Sequence, residues 1–194
     1  MISWKLIQKA KGILEKERGA VQKPWGGKIS ICLLYPNTYH LGMSNLGFQT
    51  LYQILNTEQD VVCERAFLPE PEDIEEYRDT QTTLFSLESQ KPLFSFDILA
   101  FSISFENDFL NILALLDLAH IPFESRLRDG RYPWVIAGGV AVFLNPEPIS
   151  EFFDLFILGE AEEVIGEFLE AYRQIVSEKG KKEKDDFFKR LGRV

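Results

Sequence analysis

Apolar positions along this chain switch repeatedly between two periods, and the switching predicts its elements. Ile29–Tyr35 is an unbroken apolar run rich in β-branched and aromatic residues, as in a buried strand. Pro36-Asn37 breaks it, because proline donates nothing to a ladder and asparagine favours turns. A polar loop, Pro36–Asn45, carries Gly42. Met43, Gly47, Leu51, Ile54 and Leu55 then recur at helical spacing, with Ser44 or Asn45 placed to cap the helix. Strand, ligand-sized loop and helix form the opening unit of a doubly wound domain. In such sheets ligands lie beyond the carboxyl ends of the strands, beside helix N-termini.

Four further strands follow the same logic: Asp60–Phe67, Phe96–Phe105, Arg131–Gly139 and Phe152–Leu158. Pro69–Asp79 is acidic and weakly helical, and Thr82–Ser89 reads as extended. Phe109, Ile112, Leu113 and Leu116 mark a helix that is apolar nearly all round and ends at Ile121-Pro122. Asn145–Pro148 reads as a stiff turn leaning to polyproline II, and Gly159-Glu160 opens a last helix striped by Val164, Phe168, Tyr172 and Ile175. Ahead of the first strand, Ser3–Arg18 is an amphipathic helix stopped by Gly19. The expectation is an α/β fold: a doubly wound, mostly parallel five-stranded sheet of flavodoxin-like order 2-1-3-4-5, with an extra N-terminal helix. Residues 1–28 form that helix and a connector, 29–177 the domain, and 178–194 a charged linker running into a new helical pattern at Phe187–Leu191. A chain that stops as an element starts reads as the front part of something longer.

Composition narrows the function. A chain of 194 residues buries roughly 70% of its unfolded surface, and 45% apolar residues with 16 Phe supply a self-sufficient core. Thirty acidic against 21 basic residues, a formal charge of −9, argue against a nucleic-acid surface. Cys32 and Cys63 are the only cysteines, too few for a zinc or iron–sulfur site, and read as buried reduced thiols. With no signal peptide and no run of the ~18 apolar residues a membrane span needs, a cytoplasmic protein without membrane contact is expected.

Three polar clusters fall just after apolar runs: Asn37–Gly42, Ser102–Ser104 and Gly138-Gly139. They should share one sheet edge, where glycines admit a ligand to the backbone and serines offer hydroxyls without bulk. The acids Glu106, Asp108 and Glu160 sit at helix starts, where complementing the helix dipole is reason enough for them.

As a set, the clusters resemble the cobalamin-binding pattern Asp-x-His-x-x-Gly, Ser-x-Leu and Gly-Gly. Asn37, Tyr39 and Gly42 fall on the first motif, Ser102 and Ser104 on the second, and Gly138 and Gly139 on the third. Tyr39 stands where the axial histidine would be and His40 comes one residue late; in an extended loop that shift turns its side chain to the other side. From about Ala20 to Glu163 the phrases YPNTYHLGMSNLGFQTLYQILN, VVCERAFLP, FDILAFSISFEND and RYPWVIAGGVAVFLNPEPISEFFDLFILGEAEE are similar to the N-terminal domain of a bacterial family of B12-binding-type radical SAM proteins. That resemblance implies cobalamin near Asn37, Tyr39, His40, Gly42, Ser102, Ser104, Gly138 and Gly139. It implies a radical SAM barrel as partner, which would hold a [4Fe–4S] cluster and S-adenosylmethionine on Cys-x-x-x-Cys-x-x-Cys. This chain has no such motif, and a cluster that leaves one iron free needs three thiolates. The other readings are a scaffold that packs on the barrel without a cofactor and, ranked last, a free-standing enzyme using Glu106, Asp108 or Glu160; an apolar face that includes the N-terminal helix or Phe187-Phe188 is expected to be exposed or self-associated. FMN suits the fold, but the acidic strand ends offer no evident phosphate loop.

Overall fold

The computed structural model describes residues 2–179. The predicted linker from residue 180 onward and the pattern at Phe187–Leu191 lie outside the described residues. Five parallel strands, β1 (Ile29–Tyr35), β2 (Val61–Phe67), β3 (Ile98–Ser102), β4 (Trp134–Gly138) and β5 (Leu155–Phe156), stand in the order β2-β1-β3-β4-β5. The flavodoxin-like α/β architecture is therefore the one expected. All five strands point the same way, so their carboxyl ends share one edge. Among the described residues no helix is long and apolar enough to cross a membrane.

Helices are α1 (Trp4–Lys16), α2 (Tyr39–Ser44), α3 (Leu46–Thr57), α4 (Pro71–Thr80), α5 (Phe109–Leu118), α6 (Val140–Leu144) and α7 (Ala161–Lys179). Right-handed crossovers put α3 on one face of the sheet and α4 and α5 on the other, and α7, after the last strand, packs beside α3. Strand faces alternate, so Leu99, Phe101 and Ile103 are sealed in the core on one side of β3 while Ala100 and Ser102 look to the other.

The elements differ from their sequence pattern where polar anchors intervene. Helix α1 ends at Lys16, before Gly19, because Glu17 leaves the helix to bind Arg65. The loop Pro36–Asn45 is not extended: six of its residues form α2, held against the sheet by Gly42. Thr82–Ser89 forms no strand. It loops round two charged residues of β2, with Ser86 and Ser89 donating to Glu64 at 2.6 Å. Helix α5 stops at Leu118, three residues early, with His120 in the left-handed region. Asn145–Pro148 leads into a 3-10 helix, Glu147–Phe152, because proline's fixed φ suits a first helical turn and Asn145 accepts from the Glu147 N–H at 3.2 Å.

Strand β2 lies at a sheet edge, which an open ladder would leave exposed. Residues 17–28 and 82–91 cover it. Trp25 donates to Glu64 at 2.8 Å, and the Lys91 ammonium sits 3.5 Å over the Trp25 ring. Arg65 is fully buried beneath them, bound to Glu17 and Glu88 and stacked 4.4 Å over Tyr52. Burial alone works against its charge, but Glu88 and Glu17 outweigh that and hold the guanidinium above its ordinary pKa.

Candidate functional site

The carboxyl ends of β3 and β4 bring Ser102, Ser104, Gly138 and Gly139 together. Ser102 and Gly138 are cross-strand partners, and the Ile103 N–H donates to the Gly138 carbonyl at 2.9 Å. Gly139 has φ +107°, and a Cβ there would stand 2.5 Å from the Ile103 carbonyl oxygen. Only glycine allows the β4 end to lie this close to β3. A Cβ on Gly138 would meet the Ile157 carbonyl oxygen at 3.3 Å, so β5 approaches just as closely.

Below them, between α3 and α7, is a groove of about 380 Å³. Its floor and walls are apolar: Ile31 and Leu33 of β1, Ala100 of β3, Ile136 of β4, Leu51 and Leu55 of α3, Ile165 and Phe168 of α7. Its mouth is polar, with Asn45, Ser102, Ser104 and Glu160 round the glycines. Asn45 does two jobs there: its side-chain oxygen caps α3 by accepting from Phe48 N at 2.9 Å, and its amide donates to Ser104 Oγ at 3.1 Å. Sequence reading offered Asn45 only as a cap. Its bond to Ser104 crosses 59 positions and has no local signal. The size and lining are those of a small-molecule site, a mostly apolar cavity with a few convergent polar groups.

The first cluster separates from this groove. Asn37 donates to Asp108 at 2.8 Å and accepts from the Thr38 N–H, tying the end of β1 to the turn before α5. Burial pushes the Asp108 carboxyl up, and the Asn37 hydrogen bond offsets this only in part. Its second oxygen is buried without a hydrogen-bond partner. Gly42 is a packing residue, since a Cβ would meet the Phe67 ring at 2.6 Å. Tyr39 and His40 line a second cavity, about 670 Å³, between α1, α4 and the end of β2. The Tyr39 hydroxyl donates to Glu17 at 3.3 Å, and its ring packs on Phe67. Burial, then Glu17, raises its pKa. The extended-loop expectation that Tyr39 and His40 point to opposite sides fails, because helical neighbours differ by about 100° rather than 180°.

Cys32 and Cys63 are buried in β1 and β2, and burial pushes both thiols well up. Among the described residues no three His, Cys, Asp or Glu side chains group as metal ligands.

Comparison with known proteins settles the relationship. The family model for the N-terminal part of radical SAM proteins matches residues 47–194, about three quarters of the chain. The chain belongs to that family. The match takes in Ser102, Ser104, Gly138, Gly139, α7 and all of α3 but Leu46, and it begins after β1 and the loop of Asn37, Tyr39, His40 and Gly42. A Methanocaldococcus jannaschii protein described as uncharacterized is similar, 26% identical over 133 residues. That stretch is 69% of this chain and 24% of the relative, so the chain spans about a quarter of the protein it matches.

Proposed function

We propose that this chain is the cofactor-holding N-terminal unit of a radical SAM protein, and that the groove between α3 and α7 takes the nucleotide tail of a cobalamin. The observation that carries the reading is the groove itself, apolar below and polar at the strand carboxyl ends. A flat heteroaromatic base suits the floor of Leu33, Ala100, Ile136 and Phe168, while Ser102, Ser104 and the backbone at Gly138 and Gly139 suit ribose hydroxyls and amides. The donor set fits a corrinoid without a protein nitrogen on cobalt. Tyr39 is committed to Glu17, and His40 lies on the other cavity. The cobalt would supply alkyl or electron transfer; the residues here bind and orient. Cluster and S-adenosylmethionine chemistry belongs to a separate barrel carrying its own three cysteines.

The test is a visible-spectrum titration with hydroxocobalamin. The parent chain should bind. His40→Ala should bind equally, and Gly47→Leu, which fills the mouth from an exposed helical position, should lose at least about tenfold in affinity, roughly 1.4 kcal/mol. An absent spectral change in the parent chain, or a histidine-ligated spectrum that His40→Ala abolishes, overturns the reading.

A further inference from the structure

The larger of the two cavities, about 670 Å³, has no part in the cofactor reading, and its size is that of a small-molecule site. It lies beneath α1, against α4 and the end of β2, and shares no lining residue with the groove. The residues of α1 that line it extend from Leu6 to Lys16, so it runs about 15 Å along that helix.

Its two ends differ. Helices α1 and α4 are antiparallel: the Ser3 hydroxyl donates to Glu76 at 2.6 Å, and Lys9 pairs with Asp73, nearer the start of α4. The Leu6 end is closed by Tyr77, Leu84 and Phe85, all buried. Phe67 continues the apolar wall towards Tyr39, with 5.3 Å between ring centroids. At the far end of α1 the Tyr39 hydroxyl reaches Glu17, which brings His40 of α2 to the Lys16 end of the cavity; His40 and Lys16 are both exposed.

Gly12 makes the opening. Lys9, Gly12 and Lys16 follow one another at helical spacing along one side of α1. A Cβ on Gly12 would meet nothing within 4 Å, and its backbone is ordinary helix. Neither packing nor conformation calls for glycine here, in an interior turn where it costs stability relative to alanine. The missing side chain leaves a gap between two ammonium groups above an apolar cavity.

The charge at that gap favours an anion. Lys9 is shared with Asp73. The other acid of the lining, Glu70, stands at the N-cap of α4, where the helix dipole offsets it. Lys16 is left without an ion-pair partner among the described residues.

We infer that this cavity is a second ligand site, which takes an amphipathic carboxylate: an unbranched apolar chain lies along Phe67, Tyr77, Leu84 and Phe85, and its acid group sits in the gap at Gly12 between Lys9 and Lys16, beside His40. The inference does not rest on cobalamin in the groove.

Isothermal titration of this chain with decanoate below its micelle concentration, and with decan-1-ol as the same chain without the charge, tests this. Decanoate should bind, and the alcohol should bind at least about tenfold more weakly, because the ammonium–carboxylate hydrogen bond is lost. Lys16→Glu should weaken decanoate binding by a similar factor, and Lys16→Arg should bind as the parent chain does. Gly12→Leu should abolish binding while raising the melting temperature, since leucine fills the opening and is the better helix former. A raised melting temperature separates a blocked site from a damaged fold, and Lys16→Glu, at an exposed position, decides the matter if the glycine variant unfolds. No binding of decanoate, equal affinity for the alcohol, indifference to Lys16→Glu, or binding that survives Gly12→Leu, as it would in the groove between α3 and α7, overturns the inference.

Discussion

Arg65→Met is the substitution that should damage the fold most through a single side chain. The guanidinium is the hub that ties α1 to the sheet: its Nε donates to Glu88 at 2.7 Å and its terminal nitrogens donate to Glu17. The Arg65 and Glu88 side chains are each 1% exposed. Methionine matches much of the volume but leaves both carboxylates without their counter-charge. Removing one partner of a buried ion pair costs about 3–5 kcal/mol, a large share of the roughly 5–15 kcal/mol that holds a domain folded. The loss should depend on pH. Burial already raises the Glu88 pKa, with Arg65 opposing it, and without Arg65 the rise is larger. A carboxyl whose folded pKa is raised favours folding below its unfolded value, near 4.3, and that contribution disappears as pH rises through the folded value. The penalty of Arg65→Met should therefore be smaller at pH 5 than at pH 8. Urea unfolding at both pH values measures it, and hydrogen exchange should show α1 opening first, because Glu17 caps that helix. The double variant Arg65→Met with Glu88→Leu should recover much of the loss. A loss below about 1 kcal/mol at pH 8, or the same loss at both pH values, would refute the reasoning.

Three smaller changes follow from the site. Asp108→Asn removes a buried carboxylate with one unpartnered oxygen while keeping an acceptor for Asn37, so it should stabilise by about 1 kcal/mol at neutral pH. The stability that Asp108 contributes when protonated is present below its ordinary pKa, ~3.9, and lost as pH rises through its raised folded value. Melting curves from pH 4 to 8 should be flatter for Asn, and a variant less stable at pH 7 contradicts this. Gly42→Ala puts a methyl 2.6 Å from the buried Phe67 ring and 3.1 Å from Tyr35 Cβ. Overpacking of about 1–3 kcal/mol should exceed any helix-propensity gain, and an unchanged urea midpoint would mean that the ring yields freely. Gly47→Ala, whose Cβ meets only the Asn45 side-chain oxygen at an ordinary 3.4 Å, should raise stability by up to about 1 kcal/mol; a lower melting temperature would show that Gly47 serves the backbone of α3.

Strand identity and order were legible because a parallel strand buried on both faces is a near-continuous apolar run, as in Ile29–Tyr35 and Trp134–Gly138. The shared edge of the three polar clusters follows from strand direction alone. Which side of the sheet each residue would face does not. Helix α2 has six residues, too few for a period to show, and its turn carries Tyr39 and His40 towards α1, away from the groove. Nothing in the strand pattern of Asp60–Phe67 marks Glu64 and Arg65 as buried. They are buried because the irregular connector 17–28 and the loop 82–91 close over them, through contacts between distant residues such as Trp25 with Glu64 and Arg65 with Glu88. Sequence spacing carries no trace of such pairs.

The groove exists because one face of β3 lacks volume. Along that strand and the two residues after it Leu99, Phe101 and Ile103 alternate with Ala100, Ser102 and Ser104, and β4 places Gly138 beside Ser102. The large set is at most 2% exposed, and the small set lines the groove. Substituting valine or leucine at any of the small positions is a routine way to fill space between a sheet and two helices. Empty volume costs about 24 cal/mol per Å³ in a closed core. If only a quarter of the 380 Å³ behaved as closed, roughly 2 kcal/mol of packing would be forgone there. The deficit is confined to the carboxyl ends of the central strands, beneath a polar mouth formed by Asn45 and Ser104. A packing defect has no reason to lie under hydrogen-bonding groups, whereas a ligand with an apolar body and a polar neck does.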